Sequence, residues 1–162
     1  MAFDSFLKID GIPGESSDDK YKDWIEVLSY NWKVRQPASG TTSSAGGATA
    51  ERANFSDFKV VKRIDNATPK LALACSDGTH IKEINIELCR AGGDRVKYME
   101  YKLSNCIISS ISIGGSSGVE PSETLTFNYG KIEWAYTRQR RSDGSGAGNV
   151  AAGWNLQTNI KA

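Results

Sequence analysis

Residues 96–113 read VKYMEYKLSNCIISSISI. Apolar side chains fall on the odd positions Met99, Tyr101, Leu103, Ile107, Ile111 and Ile113, with Asn105 and Ser109 as interruptions. A period of two over this length describes a long strand with one buried face, because successive side chains leave a pleated backbone on opposite sides. The same rhythm continues on both flanks. Upstream, HIKEINIELCR (80–90) carries Ile84, Ile86 and Leu88 on one face, and AGGDR closes it with a turn. Downstream, GGSSGVEPSE (114–123) reads as a flexible connection, followed by TLTFNYGKIEWAYTRQ (124–139). There Leu125, Phe127 and Tyr129 are odd while Ile132, Trp134 and Tyr136 are even, so the apolar phase slips around Gly130. That slip predicts a β-bulge or a strand that changes facing.

Further out, Phe3, Ser5, Leu7 and Ile9 alternate with Asp4, Phe6 and Lys8 in a first short strand, and a polar, turn-rich stretch follows (11–23). In WIEVLSYNWKVRQ (24–36), Leu28, Tyr30, Trp32 and Val34 share a face opposite Ser29, Asn31, Lys33 and Arg35. NFSDFKVVKRI (54–64) places Phe58, Val60 and Ile64 on one side. PASGTTSSAGGATAER (37–52) is small and polar throughout, which makes it a long loop, and RRSDGSGAGNVAAG (140–153) reads as another before a closing strand, WNLQTNIKA. One segment breaks the pattern. In NATPKLALACSDG (66–78), Thr68 suits an N-cap, Pro69 the first helical position and Gly78 a left-handed C-terminal stop, while Leu71, Ala74 and Cys75 share one face. A helix of about two turns is unstable alone, so its apolar face must lie against the mouth or edge of a sheet. Many strands, glycine-rich turns and one helix near residues 69–77 indicate a mainly β fold, a barrel or a sandwich.

The totals bound the function. A length of 162 residues, 39% hydrophobic, with 16 glycines, 4 tryptophans and 6 tyrosines, fits one folded domain over residues 1–162. A net charge of +1 lacks the basic excess of a nucleic-acid binder and leaves little repulsion between like copies. Cys75, Cys89 and Cys106 are odd in number and form no CxxC pair, which argues against a disulfide framework and a zinc site. The start, MAFDSFLKID, has neither the basic region nor the apolar run of a secretory signal. No stretch approaches the roughly 18 apolar residues of a membrane span. The single histidine, His80, has no ligand partners at metal spacing, and Asp18 and Asp19 read as a solvated turn. Walker, GxSxG and HExxH patterns are missing. TRQRR, with Arg138, Arg140 and Arg141, is the one basic cluster and reads as a solvated strand end or an interface pairing with acids of a neighbouring copy. NFS and NAT match the glycosylation pattern, and without a secretory signal the matches read as accidental. No catalytic, cofactor or metal residue is expected, and the residues themselves point to a structural or interaction module.

Taken in order, AFDSFLKIDGIPGES, IEVLSYNW, KRIDNATPKLALACSDGTH, LCRAGG, SSISIGGSSG and GWNLQTNIKA resemble the Hcp (haemolysin-coregulated protein) family across nearly the whole chain. The resemblance implies a compact β-barrel of two antiparallel sheets with a helix at its side. It also implies a homo-hexameric ring, rings stacked into the inner tube of a type VI secretion system, and partnership with sheath and spike proteins. Small effector proteins would be carried in the lumen, with assembly in the cytoplasm and export without a signal peptide. The family's stacking loop corresponds to Gly40, Thr41, Thr42, Ser43, Ser44, Gly46, Gly47 and Ala50, on a segment able to span roughly 45 Å when stretched. Its pore-facing position corresponds to Ser116 with Gly115 and Ser117, where small polar residues would give a smooth wet wall. The alternative from the residues alone is a monomeric barrel holding a small ligand inside. The large apolar residues look sufficient to fill such a barrel.

Overall fold

The computed structural model describes residues 3–37, 51–91, 95–139 and 146–162. In chain order they form β1 (Phe3–Ile9), β2 (Ile25–Val27), β3 (Ser29–Asn31), β4 (Val34–Arg35), β5 (Asn54–Phe55), β6 (Phe58–Arg63), α1 (Thr68–Asp77), β7 (Ile81–Arg90), β8 (Lys97–Ser116), β9 (Val119–Gln139), β10 (Gly146–Asn155) and β11 (Ile160–Lys161). All pairings are antiparallel.

The main sheet closes on itself. β1 pairs with β2 and β7, β7 with β8, β8 with β9, and β9 with β6, which in turn pairs with β3. The circuit is completed between β2 and β3, where the Leu28 amide donates to Val61 O at 2.8 Å. Closure removes most unpaired edges and encloses one apolar interior. Leu7, Ile25, Phe58, Leu103, Phe127 and Ile132 fill it, each fully buried. β4 and β5 make a separate two-stranded sheet. The described residues thus form a mainly β barrel with one short helix, where the alternation alone left barrel and sandwich open.

β9 runs past the barrel. Its first part pairs with β6 and its second with β10, so the sheet extends through β10 and β11. The slip read at Gly130 is a change of facing: Leu125, Phe127 and Tyr129 point inward before it, Ile132 after it. Opposite Gly130 lies Asn105, with positive φ (55°). The inward phase of β8 changes there too, from Leu103 to Cys106 and Ile108. A second change comes at Ser109, where the register shifts between Ile108 and Ser110 and Ile111 returns to the core side. Ile107 therefore belongs to the outer phase, contrary to its place on the odd apolar face read from the sequence. Asn105 and Ser109 are the points at which the strand turns, since Asn tolerates left-handed backbone and a bulge absorbs one residue.

Other expectations are corrected. Leu28 is 49% exposed and Val34 46%, because the strand breaks at Leu28 and the buried phase passes from Ile25 and Val27 to Tyr30 and Trp32. On β6 the residue in phase with Phe58 and Val60 is Lys62, fully buried, whereas Ile64 lies beyond the strand and is exposed. Residues 114–123 are ladder, not a flexible connection: Ser116 pairs with Val119 across a two-residue turn in which Gly118 has φ +81°. The stretch read as a loop from 140 contains β10 from Gly146 onward. The closing segment is not one strand, since a turn capped by Asn155 Oδ1 on the amides of Gln157 and Thr158 separates β10 from β11.

Ala67, Leu71 and Ala74 of the α1 region join the barrel core, with Cys75 half-buried beside them. Gly78 ends the helix in the left-handed region (φ 68°) and its amide returns to Ala74 O. The N-terminus differs from expectation. Ala67 is the N-cap, Thr68 is the first helical residue, and Pro69 follows within the first turn. Thr68 leaves the capping role because its hydroxyl accepts from the Asp65 amide at 3.1 Å and donates to Glu123 Oε1 at 3.1 Å.

Candidate assembly surfaces

The closed barrel turns a four-stranded outer face to solvent. Across β3, β6, β9 and β8, one row is Asn31, Lys59, Thr126, Ser110, and the next is Ser29, Val61, Thr124, Ser112. Short polar side chains dominate these rows, so the wall is low and wettable. Gly114 opposite Ser122 continues it to the hairpin end, where Gly115, Ser116 and Ser117 are exposed. At the end away from the hairpin the bulged Ser109 hydroxyl donates to Asp57 Oδ2 at 2.7 Å, and Asn128 Nδ2 donates to Asp57 Oδ1 at 3.1 Å. Ser110 Oγ lies 2.6 Å from Thr126 Oγ1. The sequence reading isolated only the Gly115–Ser117 end. The rest comes from four separated strands, and its one linear trace was the outer-phase spacing of Ser110 with Ser112 and Thr124 with Thr126.

Two edges of this sheet lack a strand partner among the described residues. β7 pairs with β8 only as far as Cys106, leaving the β8 edge from Ile107 to Ser116 open. β3 pairs only with β6. Exposed apolar residues sit by both edges: Ile113 (50%) and Val119 (65%) on the hairpin, Leu28 (49%) and Ile64 (43%) near β3. An open cleft of about 780 Å³ lies nearby, with Phe3, Leu28 and Ile64 among its walls and Glu26 and Glu120 among its charges.

β4 and β5 pair through Val34 with Phe55 and Arg35 with Asn54, and the Glu51 amide donates to Pro37 O at 3.3 Å. Gly40, Thr41, Thr42, Ser43, Ser44, Gly46, Gly47 and Ala50 lie outside the described residues, as do Arg140 and Arg141. Arg138 is exposed near the end of β9.

The titratable groups are held for packing. Burial pushes the Cys106 thiol up to about 12, with the Glu83 charge adding to it. Burial also raises Cys89, although its hydrogen bond with Tyr21 opposes the shift. Thiols raised in this way carry little thiolate near neutrality, so they make poor nucleophiles. Tyr21 stacks on Phe6 with centroids 4.3 Å apart and its hydroxyl meets Cys89 Sγ at 2.8 Å, which pins residues 11–24 against β1 and β7. His80 is exposed after the helix. Among the described residues there is no group of three His, Cys, Asp or Glu able to hold a metal, and no helix is long and apolar enough to cross a membrane.

Residues 6–136 match the family described as type VI secretion system effector, Hcp. The chain is 35% identical to protein hcp1 of Pseudomonas aeruginosa over 164 residues, covering all of both chains. A solved structure of a type six secretion system protein superposes with a TM-score of 0.94 at 35% identity, over 99% of this chain and 100% of that one. Hcp1 from Salmonella typhimurium superposes at 0.83 with 30% identity, over the whole of both chains. A barrel of this topology, matched along its full length by these relatives, places the chain in the Hcp family of type VI secretion system proteins.

Proposed function

We propose that residues 1–162 act as one structural unit, six copies of which close into a ring by joining the free β8 edge of one to the β3 edge of the next. The observation carrying this reading is the pair of unpartnered edges on one sheet whose outer face is small and polar. Such an edge invites pairing with another chain, and a contact between two different edges closes into a ring when its rotation allows. The polar face then lines the lumen, with Ser116 and its neighbours Gly115 and Ser117 on it. The rings stack through the segment from Gly40 to Ala50. The tube forms in the cytoplasm, is driven outward by the sheath with the spike ahead of it, and leaves the cell without a signal peptide. Small effector proteins travel in the lumen. The subunit does no catalysis: its work is to form a wall and a carrier. The filled interior argues against the small-ligand barrel, since large side chains occupy the space a ligand would need.

Ser116→Trp tests the lumen assignment. The side chain stands exposed at the hairpin end, so the variant should fold and assemble as the parent does. Its bulk should abolish co-purification of effectors. Unchanged cargo recovery from intact assemblies would remove Ser116 from the lumen wall.

A further inference from the structure

The inner rows of β6 and β9 meet as three direct pairs: Phe58 with Phe127, Val60 with Leu125, and Lys62 with Glu123. Two are apolar. The third is an ion pair whose side chains are both 0% exposed. The Lys62 ammonium has three protons and three acceptors: Glu123 Oε1, Asp65 Oδ1 at 2.7 Å and Arg63 O at 3.0 Å. The cluster continues into α1. Asp65 Oδ1 also accepts from the Ala67 amide at 3.0 Å, and Thr68 Oγ1 bridges Glu123 Oε1 and the Asp65 amide. Glu123 Oε2, equally buried, has no hydrogen-bond partner among the described residues.

Burying two charges costs about as much as their attraction returns, but separating them inside a core is far worse. The apolar pairs alone do not select this register. A slip of two residues keeps every side chain on its face. In one direction Val60 would meet Phe127, and Lys62 would meet Leu125. In the other, Phe58 would meet Leu125, Val60 would meet Glu123, and Lys62 would meet Pro121. Each slip is tolerable to the apolar residues and strands a buried charge. We propose that the Lys62–Glu123 pair fixes the register of β6 against β9 and, through Asp65 and Thr68, the seat of α1. It selects one pairing and adds little net stability. Because β3 pairs with β6, a register error would also displace the open β3 edge.

Cysteine trapping on the outer face reads the register directly. Lys59 stands opposite Thr126 in the native pairing; a slip of two residues puts it opposite Thr124 in the direction that sets Lys62 against Pro121, and opposite Asn128 in the other. In the parent background, Lys59→Cys should cross-link with Thr126→Cys and with neither Thr124→Cys nor Asn128→Cys. With Lys62→Met and Glu123→Leu together, the protein should stay folded, and position 59 should trap position 124 or 128 as well as 126. A folded double variant that still traps only the 59–126 pair would overturn the proposal. Should that variant not fold, methionine at both positions is read in the same way, since its unbranched chain adapts to the gap. Failure of both charge-free versions to fold would show that the pair carries stability, which also overturns the proposal.

Discussion

Leu71 and Leu73 lie two residues apart on α1 and face opposite ways, one 0% exposed in the core and the other 63% exposed. The helix has ten residues, fewer than the about 12–15 at which isolated helices become even marginal. It is therefore held by its buried face, where Leu71 is the large side chain and Ala67 and Ala74 are small. Leu71→Ala removes fully buried apolar atoms and leaves a cavity, at a cost of about 3–4 kcal/mol. In a domain of this size each kcal/mol moves the melting midpoint by about 2–4 °C, so the midpoint should fall by about 6–16 °C. Leu73→Ala loses no buried contact and should stay within about 0.5 kcal/mol of the parent. Thermal denaturation followed by circular dichroism separates the two. Protein concentration must be held fixed, because association shifts the midpoint. Equal shifts would refute the reasoning, since α1 would then gain nothing from the face that Leu71 presents. Leu71→Asp places an unpaired charge in the same site and should abolish the folded state.

Gly14→Ala should be strongly destabilising, because a Cβ there would collide with the Trp24 carbonyl and the Ile25 side chain; a melting curve like the parent's would show that the 11–24 segment yields easily. The thiols should differ in reactivity toward a disulfide reagent at pH 8, with half-buried Cys75 reacting first and Cys89 and Cys106 only on unfolding. Rapid labelling of all three in the native protein would contradict the packing. Glu87 has its pKa raised above 4.5, by burial first, with Lys97 opposing and Glu100 adding. A carboxyl raised on folding contributes stability below its unfolded value and loses it as pH rises through the folded one. Glu87→Gln should therefore flatten a fall in stability as pH climbs from 4.5, and an unchanged difference between parent and variant across that window would refute the assignment.

What the sequence disclosed follows from where its local signals were strong. Period-two alternation revealed β1, β7, β8 and β9, and the phase slip at Gly130 disclosed a change of facing. Asn105 and Ser109 were visible as interruptions, but alternation alone does not say whether a polar residue pauses an apolar face or turns it over. Lys62 was hidden because lysine ordinarily marks the solvent side, and its burial is made tolerable by the cross-strand Glu123 together with Asp65. β10, with its glycines and alanines, carries little strand preference of its own and exists because the overhanging half of β9 supplies a ladder. Glycine-rich residues 114–118 were masked in the same way, since a two-residue hairpin turn needs only one of those glycines at positive φ. The end of the outer face was legible at Ser116, but the full wall was not, because rows across four strands have no linear signature.

The central claim is that open edges on identical copies join into a closed ring, and solution mass tests it most directly. Size-exclusion chromatography with light scattering should give six times the 17.6 kDa chain, about 106 kDa, or multiples of that value as rings stack. A species that stays at 17.6 kDa across the accessible concentration range would contradict the account.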